Sequence, residues 1–220
     1  MKKDYEIARA RMVQEQLIGR GITEEHVLRS MGAVPRHYFV DQAFWPRAYS
    51  DHPLPIGHDQ TISQPYIVAL MTQELSVSEG ARILEIGTGS GYQAAVLAVM
   101  GCEVFTVERF DTLADRAKNI LKKLDIKNVH FRIGDGSLGW IEEAPFDGII
   151  VTAGAPDIPN ELVDQLASGG KIVIPVGSLN SQRLVKVIKR KRMIERHDMI
   201  GCMFVPLVGD RAWGDGHREV

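Results

Sequence analysis

From Arg82 onward the chain alternates short apolar runs with amphipathic ones, and this alternation narrows its possible folds more than any other feature. Strands are expected at 82–86, 103–108, 129–133, 148–152 and 171–176, with helices at 93–100, 112–124 and 159–167. Strands separated by helices imply an α/β fold built on a doubly wound, mainly parallel sheet. The end of the chain breaks the rule. Stretches 183–189 and 198–205 read as strands with only the charged run 190–196 between them, which predicts a C-terminal antiparallel hairpin.

The N-terminal part is of another kind. Ile7, Ala8, Met12, Val13 and Leu17 have helical spacing, and Gly19 and Gly21 end that helix. Thr23 is placed to cap a second helix that runs to Met31, with Pro35 closing it. Residues 41–65 hold Pro46, Pro53, Pro55 and Pro65 and read as a long irregular segment, of the kind that is functional or disordered. Phe44, Trp45, Tyr49, Leu54 and Ile56 argue that it packs. Pro65 suits the first position of a helix to about Leu75. The expectation is a helical and loop extension (1–78) leading into a sheet core (79–208) and a short tail (209–220), all one folding unit of 220 residues.

The sharpest local signal is Leu84-Glu85-Ile86-Gly87-Thr88-Gly89-Ser90-Gly91-Tyr92, an apolar strand ending in alternating glycines and followed by an Ala-rich helix. Glycine permits the tight turn and a close backbone approach to a ligand. The dinucleotide fingerprint would require glycine at position 92, where Tyr92 stands. The pattern Glu-x-Gly-x-Gly-x-Gly resembles instead the first motif of the class I S-adenosylmethionine methyltransferases, whose fold is Rossmann-like. In a doubly wound sheet, ligands sit at the carboxyl ends of the strands. The next strand ends in Glu108, an acceptor-only carboxylate suited to a ribose diol. The third ends in Gly134-Asp135-Gly136, where Asp135 is either an acceptor for an exocyclic amine or a turn former. Glu85 is a candidate for the amino group of a methionyl moiety, or a buried acid satisfied by the glycine-turn amides.

After the fourth strand come Thr152-Ala153-Gly154-Ala155, small residues that leave space and offer neither a base nor an amine acceptor. Upstream, Gln60-Thr61-Ile62-Ser63-Gln64-Pro65 places a hydroxyl beside a helix start. That is ordinary helix-start chemistry, or a site where free N–H groups and a hydroxyl hold a carboxylate.

Val34-Pro35-Arg36, Asp51 to Gly57, Gln60 to Pro65, Glu85 to Tyr92, Gly134-Asp135-Gly136 and Phe204-Val205-Pro206-Leu207 together resemble the protein-L-isoaspartate O-methyltransferase family, in its order and over nearly the whole chain. The resemblance implies methyl transfer from S-adenosylmethionine to the α-carboxylate of isoaspartyl residues in damaged proteins. It implies Ser63 as the active-site serine and Gln60, Thr61 and Ile62 as a loop over cofactor and substrate. It implies Glu85, Gly87, Thr88, Gly89, Ser90, Gly91, Glu108, Asp135 and Gly136 as cofactor contacts. One departure stands out: Met203 occupies a place where bacterial members usually carry Arg. The tail from Val208 has no counterpart in the motifs.

Composition sets the remaining bounds. A net charge of −2 gives no reason to expect a polyanionic partner, and Lys189-Arg190-Lys191-Arg192, with no aromatic residues interleaved, reads as a solvated hairpin tip. No apolar run is long enough for a membrane span, and the charged stretch to Arg20 lacks the apolar core of a signal peptide. Cys102 and Cys202 read as free thiols in a reducing compartment, so cytoplasm is the default location. His52 and His58 read as packing or turn residues, and no metal-ligand spacing appears. Two alternatives stay open at this point: a methyltransferase acting on a small molecule or nucleic acid, and a cofactor-binding protein without catalysis.

Overall fold

The computed structural model describes residues 2–191 and 193–214. Its centre is a seven-stranded sheet in the order β5-β4-β3-β6-β7-β8-β9. The strands are β3 (Arg82–Ile86), β4 (Glu103–Glu108), β5 (Val129–Ile133), β6 (Phe146–Val151), β7 (Leu166–Ser178), β8 (Ser181–Lys189) and β9 (Ile194–Cys202). From β5 to β7 every pairing is parallel, and β7–β8–β9 are antiparallel. The chain runs from β3 outward to β5, then returns to lay β6 on the other side of β3. The switch in strand order therefore falls between β3 and β6, beside the glycine turn, where such sheets bind ligands.

Alternation along the strands splits the core in two. Ile83, Val104, Ile150 and Val173 face a cluster shared with α2 (Glu25–Ala33), α3 (Pro65–Leu75), α4 (Tyr92–Val99) and α5 (Asp111–Lys123). Leu84, Val107, Ile149 and Ile174 face a second cluster that includes Leu162 of α6 (Asn160–Asp164) and Leu207.

Several boundaries move from the sequence expectation, each for a physical reason. The first helix is α-helical over α1 (Lys2–Arg11), then widens to a π turn over Met12–Leu17 and tightens to a 3-10 turn ending at Gly21. The wide turn brings Met12 and Leu17, five residues apart, to full burial together. Glu24, not Thr23, caps α2: its carboxylate accepts from Val27 N at 2.8 Å, while Thr23 N and Glu24 N donate to Gln73. The expected helix 159–167 shortens to Asn160–Asp164, because Leu166 already pairs with Phe146 at the start of β7. The last strand begins at Ile194 rather than 198, since a tight turn closes with Arg190 N donating to Met193 O at 2.8 Å. Of the basic run at that turn, Lys189 donates to Asp164 O and Leu166 O and Arg190 pairs with Glu195; Arg192 lies outside the described residues.

The irregular segment 41–65 folds as 3-10 turns and a small antiparallel hairpin, β1 (Leu54–Gly57) with β2 (Gln60–Ile62), turning at His58 and Asp59 with positive φ. Leu54, Ile56 and Ile62 are buried and anchor the hairpin on the core. His58 stacks on Phe110 and its Nε2 lies 2.8 Å from the Thr112 hydroxyl, so it ties the hairpin tip to α5. Among the described residues, no helix is long and apolar enough to cross a membrane.

Candidate active site

A cavity of about 540 Å³ lies at the carboxyl ends of β3, β4 and β6, bordered by the β2–α3 segment. Its floor is the glycine turn. Gly87 (φ +93°) and Thr88 donate to Val107 O, and Gly91 (φ +85°) donates to Thr88 O before α4 begins. A side chain at Gly87 would stand 2.5 Å from the Thr152 hydroxyl, which itself donates to Gly87 O at 2.6 Å. Thr152 therefore braces the turn, a role its small size did not suggest. The Ser90 hydroxyl accepts from Tyr92 N at 3.3 Å and helps start α4.

Two carboxylates flank the turn and differ in kind. Glu108 is well supplied with donors: Oε2 accepts from Gly89 N at 2.8 Å, and Oε1 from Arg109 N and Phe110 N at 2.9 and 3.0 Å. It shapes the turn and still has lone-pair capacity on Oε2 toward the cavity. Glu85 is fully buried, opposite Thr106 in register, and its Oε2 accepts from the Thr106 hydroxyl at 2.5 Å. Thr88 Oγ1 lies 2.6 Å from Thr106 Oγ1, extending the chain of hydroxyls. Glu85 Oε1 has no hydrogen-bond partner among the described residues. The glycine-turn amides do not satisfy it. Burial first, and the nearby Glu108 charge after it, push the Glu85 carboxyl up to about 8 against the pull of the Thr106 hydroxyl and, less strongly, of the Ala94 backbone N–H.

A second orphan lines the same cavity. Gln93 donates to Thr72 Oγ1 at 2.9 Å, but its Oε1 is buried without a donor among the described residues. Two unpaired buried acceptors in one cavity call for a ligand rich in donors. An ammonium, with three donors and no acceptor, has that chemistry. The residues present thus fit the methionyl ammonium of S-adenosylmethionine at Glu85 and Gln93, and a ribose diol at Glu108. Among the described residues, no cluster of three or more His, Cys, Asp or Glu is placed to hold a metal ion.

At the third strand end the structure departs from expectation. Gly136 lines the cavity, and a side chain there would come within 2.5 Å of Ile86 Cγ2. Asp135 does not line it. Its Oδ1 accepts from Ser137 N and Oγ at 2.8 and 2.7 Å, and its Oδ2 from Asp210 N at 2.7 Å. Of the two readings of Asp135, its contacts carry the turn former, and the same carboxylate anchors the tail. Beyond Leu207 the chain folds back, with Trp213 N donating to Leu207 O and Trp213 Nε1 to Gly154 O, and Trp213 and Gly214 join the cavity wall. Residues 215–220 lie outside the described residues.

Ser63 lines the cavity with Gln60, Thr61 and the buried Ile62. Its carbonyl accepts from Arg36 Nη2 at 2.7 Å, and no hydrogen bond engages its hydroxyl among the described residues. The expected free amides at the start of α3 are taken. Tyr66 N donates to Asp51 Oδ1 at 3.0 Å, and Ile67 N and Val68 N donate to Gln64 O. Asp51 itself pairs with Arg20. A carboxylate of this chain already fills the helix start, so the Ser63 hydroxyl and the N-cap Gln64 N–H, not the helix dipole, are the unspent donors there among the described residues.

The sequence reading missed Leu179 and Asn180, which line the cavity from the β7–β8 turn. Only strand order finds them: β7 runs parallel to β3, so the turn after it lies at the same edge as the glycines. Of the small residues after β6, Thr152 and Ala153 line the cavity, but Gly154 does not open onto it. The space at Gly154 is filled by the Gln182 amide, which accepts from Phe204 N at 2.8 Å and donates to Phe204 O at 3.2 Å. That clamp, with Gly154 N donating to Val205 O and Leu207 N to Gly154 O, fixes Val205, Pro206 and Leu207 as a wall of the cavity. Met203, just outside the wall, is 73% exposed.

A sequence model of the protein-L-isoaspartate(D-aspartate) O-methyltransferase (PCMT) family matches residues 8–212. The chain is 53% identical over 212 residues to a protein-L-isoaspartate O-methyltransferase of Geobacter metallireducens, covering 96% of this chain and 98% of the relative. It is 55% identical over 210 residues to protein-L-isoaspartate O-methyltransferase 1 of Syntrophobacter fumaroxidans, with 96% and 98% covered. Among solved structures, a protein-L-isoaspartate O-methyltransferase superposes with a TM-score of 0.85 at 28% identity, over 93% of this chain and 67% of that one. A Plasmodium falciparum structure described as a putative protein-L-isoaspartate O-methyltransferase in complex with S-adenosyl-L-homocysteine gives 0.80 at 28% identity, over 91% and 98%. With a family match across nearly its whole length and relatives above half identity, this chain belongs to the protein-L-isoaspartate(D-aspartate) O-methyltransferase family.

Proposed function

We propose that this chain methylates the free α-carboxylate of L-isoaspartyl residues in damaged proteins, using S-adenosylmethionine. The resulting ester can close to a succinimide that reopens to a normal aspartyl linkage. The observation that carries the reading is a single cavity with orphan acceptors for an ammonium at Glu85 and Gln93, and an unspent hydroxyl at Ser63 for a carboxylate. S-adenosylmethionine, when bound, supplies a methyl group on a sulfonium centre. The residues of the chain hold and align. Glu108 accepts from the ribose, Glu85 and Gln93 accept from the ammonium, and Gly87 to Gly91 let the backbone come close. Gln60, Thr61 and Ile62 border the acceptor end, and Ser63 donates to one carboxylate oxygen while the other attacks. Gly136 leaves room at the adenine end, and Asp135 has a lone pair remaining beyond its three protein donors.

No general base is required. An α-carboxyl has a pKa of about 3.5 and is already an anion at neutral pH. An anion attacking a cation needs alignment and exclusion of water more than proton transfer. The chain then works as one methyltransferase unit in the three parts 1–78, 79–208 and 209–220. Cys102 and Cys202 are free thiols, in keeping with a reducing compartment, and the reading places the enzyme in the cytoplasm.

The test is a pair of peptides identical except for an isoaspartyl or aspartyl linkage, assayed with methyl-labelled cofactor. Base-labile label is expected in the isoaspartyl peptide alone, and equal labelling would overturn the reading. In the same assay Ser63→Ala is expected to lower kcat/KM by about 10- to 100-fold through loss of a hydrogen bond to a charged group, with affinity for S-adenosylhomocysteine within about 2-fold of the parent. Equal loss of both would make Ser63 a structural residue.

A further inference from the structure

Beneath the acceptor segment lies a buried cation. Arg36 is completely buried, and among the described residues it forms no ion pair. Its Nε donates to Ala48 O and its Nη2 to Ser63 O, both at 2.7 Å, and its guanidinium lies 4.8 Å from the Tyr92 ring centroid. Nη1 has no hydrogen-bond partner within bonding distance among the described residues, and the Tyr92 side chain is the neighbour that most supports the charge. Asp51, the acid whose field supports the guanidinium, is engaged by Tyr66 N and Arg20. Burial lowers the Arg36 pKa to about 10, which leaves it a cation at neutral pH. Neutral carbonyls compensate a buried cation poorly, and a well-packed apolar residue often serves stability as well or better.

The position of Arg36 supplies a reason. Ser63 and Tyr92 both line the cavity, one at the acceptor end and the other at the first residue after the glycine turn. A planar guanidinium touching both fixes the spacing of acceptor segment and cofactor turn. The carbonyl and the following N–H of a trans peptide point opposite ways. Drawing the Ser63 carbonyl inward therefore turns the Gln64 N–H away from Arg36, and that N–H has no partner among the described residues.

We propose that Arg36 is a positioning residue for the acceptor: it holds the 63–64 peptide so that the Ser63 hydroxyl and the Gln64 N–H face the isoaspartyl carboxylate, in register with the cofactor turn. This deepens the function proposed above and rests on its assignment of Ser63. A misplacement of about 1 Å at such a position can cost on the order of 100-fold in rate.

The experiment is a double-mutant cycle of Arg36→Lys with Ser63→Ala on the isoaspartyl peptide. Lysine keeps the charge but loses the planar fork. Arg36→Lys is expected to lower kcat about 10-fold or more in the parent and several-fold less than that in the Ser63→Ala background, where only the Gln64 N–H is left for Arg36 to place. Affinity for S-adenosylhomocysteine should stay within about 2-fold in every variant, since the Glu85, Gln93 and Glu108 contacts are untouched. Equal losses in both backgrounds, or no loss in the parent, would overturn the proposal. Full activity of Ser63→Ala alone would instead overturn the assignment of Ser63, and the two failures are read from different corners of the cycle. Should Arg36→Lys fail to fold, Arg36→Gln is taken through the same cycle and judged by the same criteria.

Discussion

Glu108→Ala is expected to weaken binding of S-adenosylhomocysteine by about 100- to 1,000-fold, the equivalent of losing two charge-assisted hydrogen bonds. The size follows from two jobs done by one side chain. Toward the ligand, Glu108 is the carboxylate at the end of β4 with one lone-pair site left on Oε2 for a ribose hydroxyl. Toward the protein, it accepts from Gly89 N, Arg109 N and Phe110 N, and so holds the glycine turn against the start of α5. Its truncation removes the ribose contact and frees the turn at once. Glu108→Gln keeps the shape but sets an NH₂ against either the Gly89 N–H or the Arg109 and Phe110 N–H groups, so it is also expected to weaken binding, by less than the truncation. Isothermal titration with S-adenosylhomocysteine gives the affinities. A loss below about 5-fold in Glu108→Ala would remove Glu108 from the binding site, because even one hydrogen bond to a charged group is worth more than that.

Glu85→Gln is expected to shift stability and binding in opposite directions. The folded protein raises the Glu85 pKa from 4.5 to about 8, so it holds that proton more tightly than the unfolded chain does. On this account the free protein is fully stabilised below pH 4.5, loses stability as pH rises from 4.5 to about 8, and gains nothing back above it. Glutamine carries no proton to lose. Free Glu85→Gln should therefore melt higher than the parent at pH 8.5, with the difference shrinking toward pH 6. The ammonium requires the ionised carboxylate, so in the parent a proton must leave as the ligand arrives. Parental affinity should fall by up to about 10-fold per pH unit below pH 8, while the variant binds weakly and with little pH dependence. Melting curves from pH 6 to 8.5, with and without S-adenosylhomocysteine, read both effects. Parallel curves for parent and variant across that range would refute the assignment.

What could be read from the sequence was what lies close along the chain. β3, β4 and β5 have the bounds their apolar runs suggest, and Glu85, Gly87 to Gly91 and Glu108 gather at one edge because each ends or follows a strand. What could not be read depends on pairings between distant segments. Asp51 fills the start of α3 from fifteen residues away. Asp135 is bound to Asp210 across 75 positions, and Gln182 clamps Phe204. No local propensity encodes such contacts. Arg36 was legible only as part of a motif, since nothing in Val34-Pro35-Arg36 announces that its side chain will be wholly buried beneath Ser63.

The order of the sheet has a consequence for the company this protein keeps. β9 is an edge strand with most of its residues exposed, and its outer backbone groups form a template onto which another extended chain can add. Damaged polypeptides, the clients proposed for this enzyme, are rich in such chains. The strand carries Glu195, Arg196, His197 and Asp198 in succession, with Glu195 paired to Arg190 and Arg196 to Asp198, and its ladder to β8 is interrupted at Arg183–Val185. Charge and irregularity on that edge discourage strand addition, so an enzyme that handles aggregation-prone material keeps its own sheet from becoming a seed.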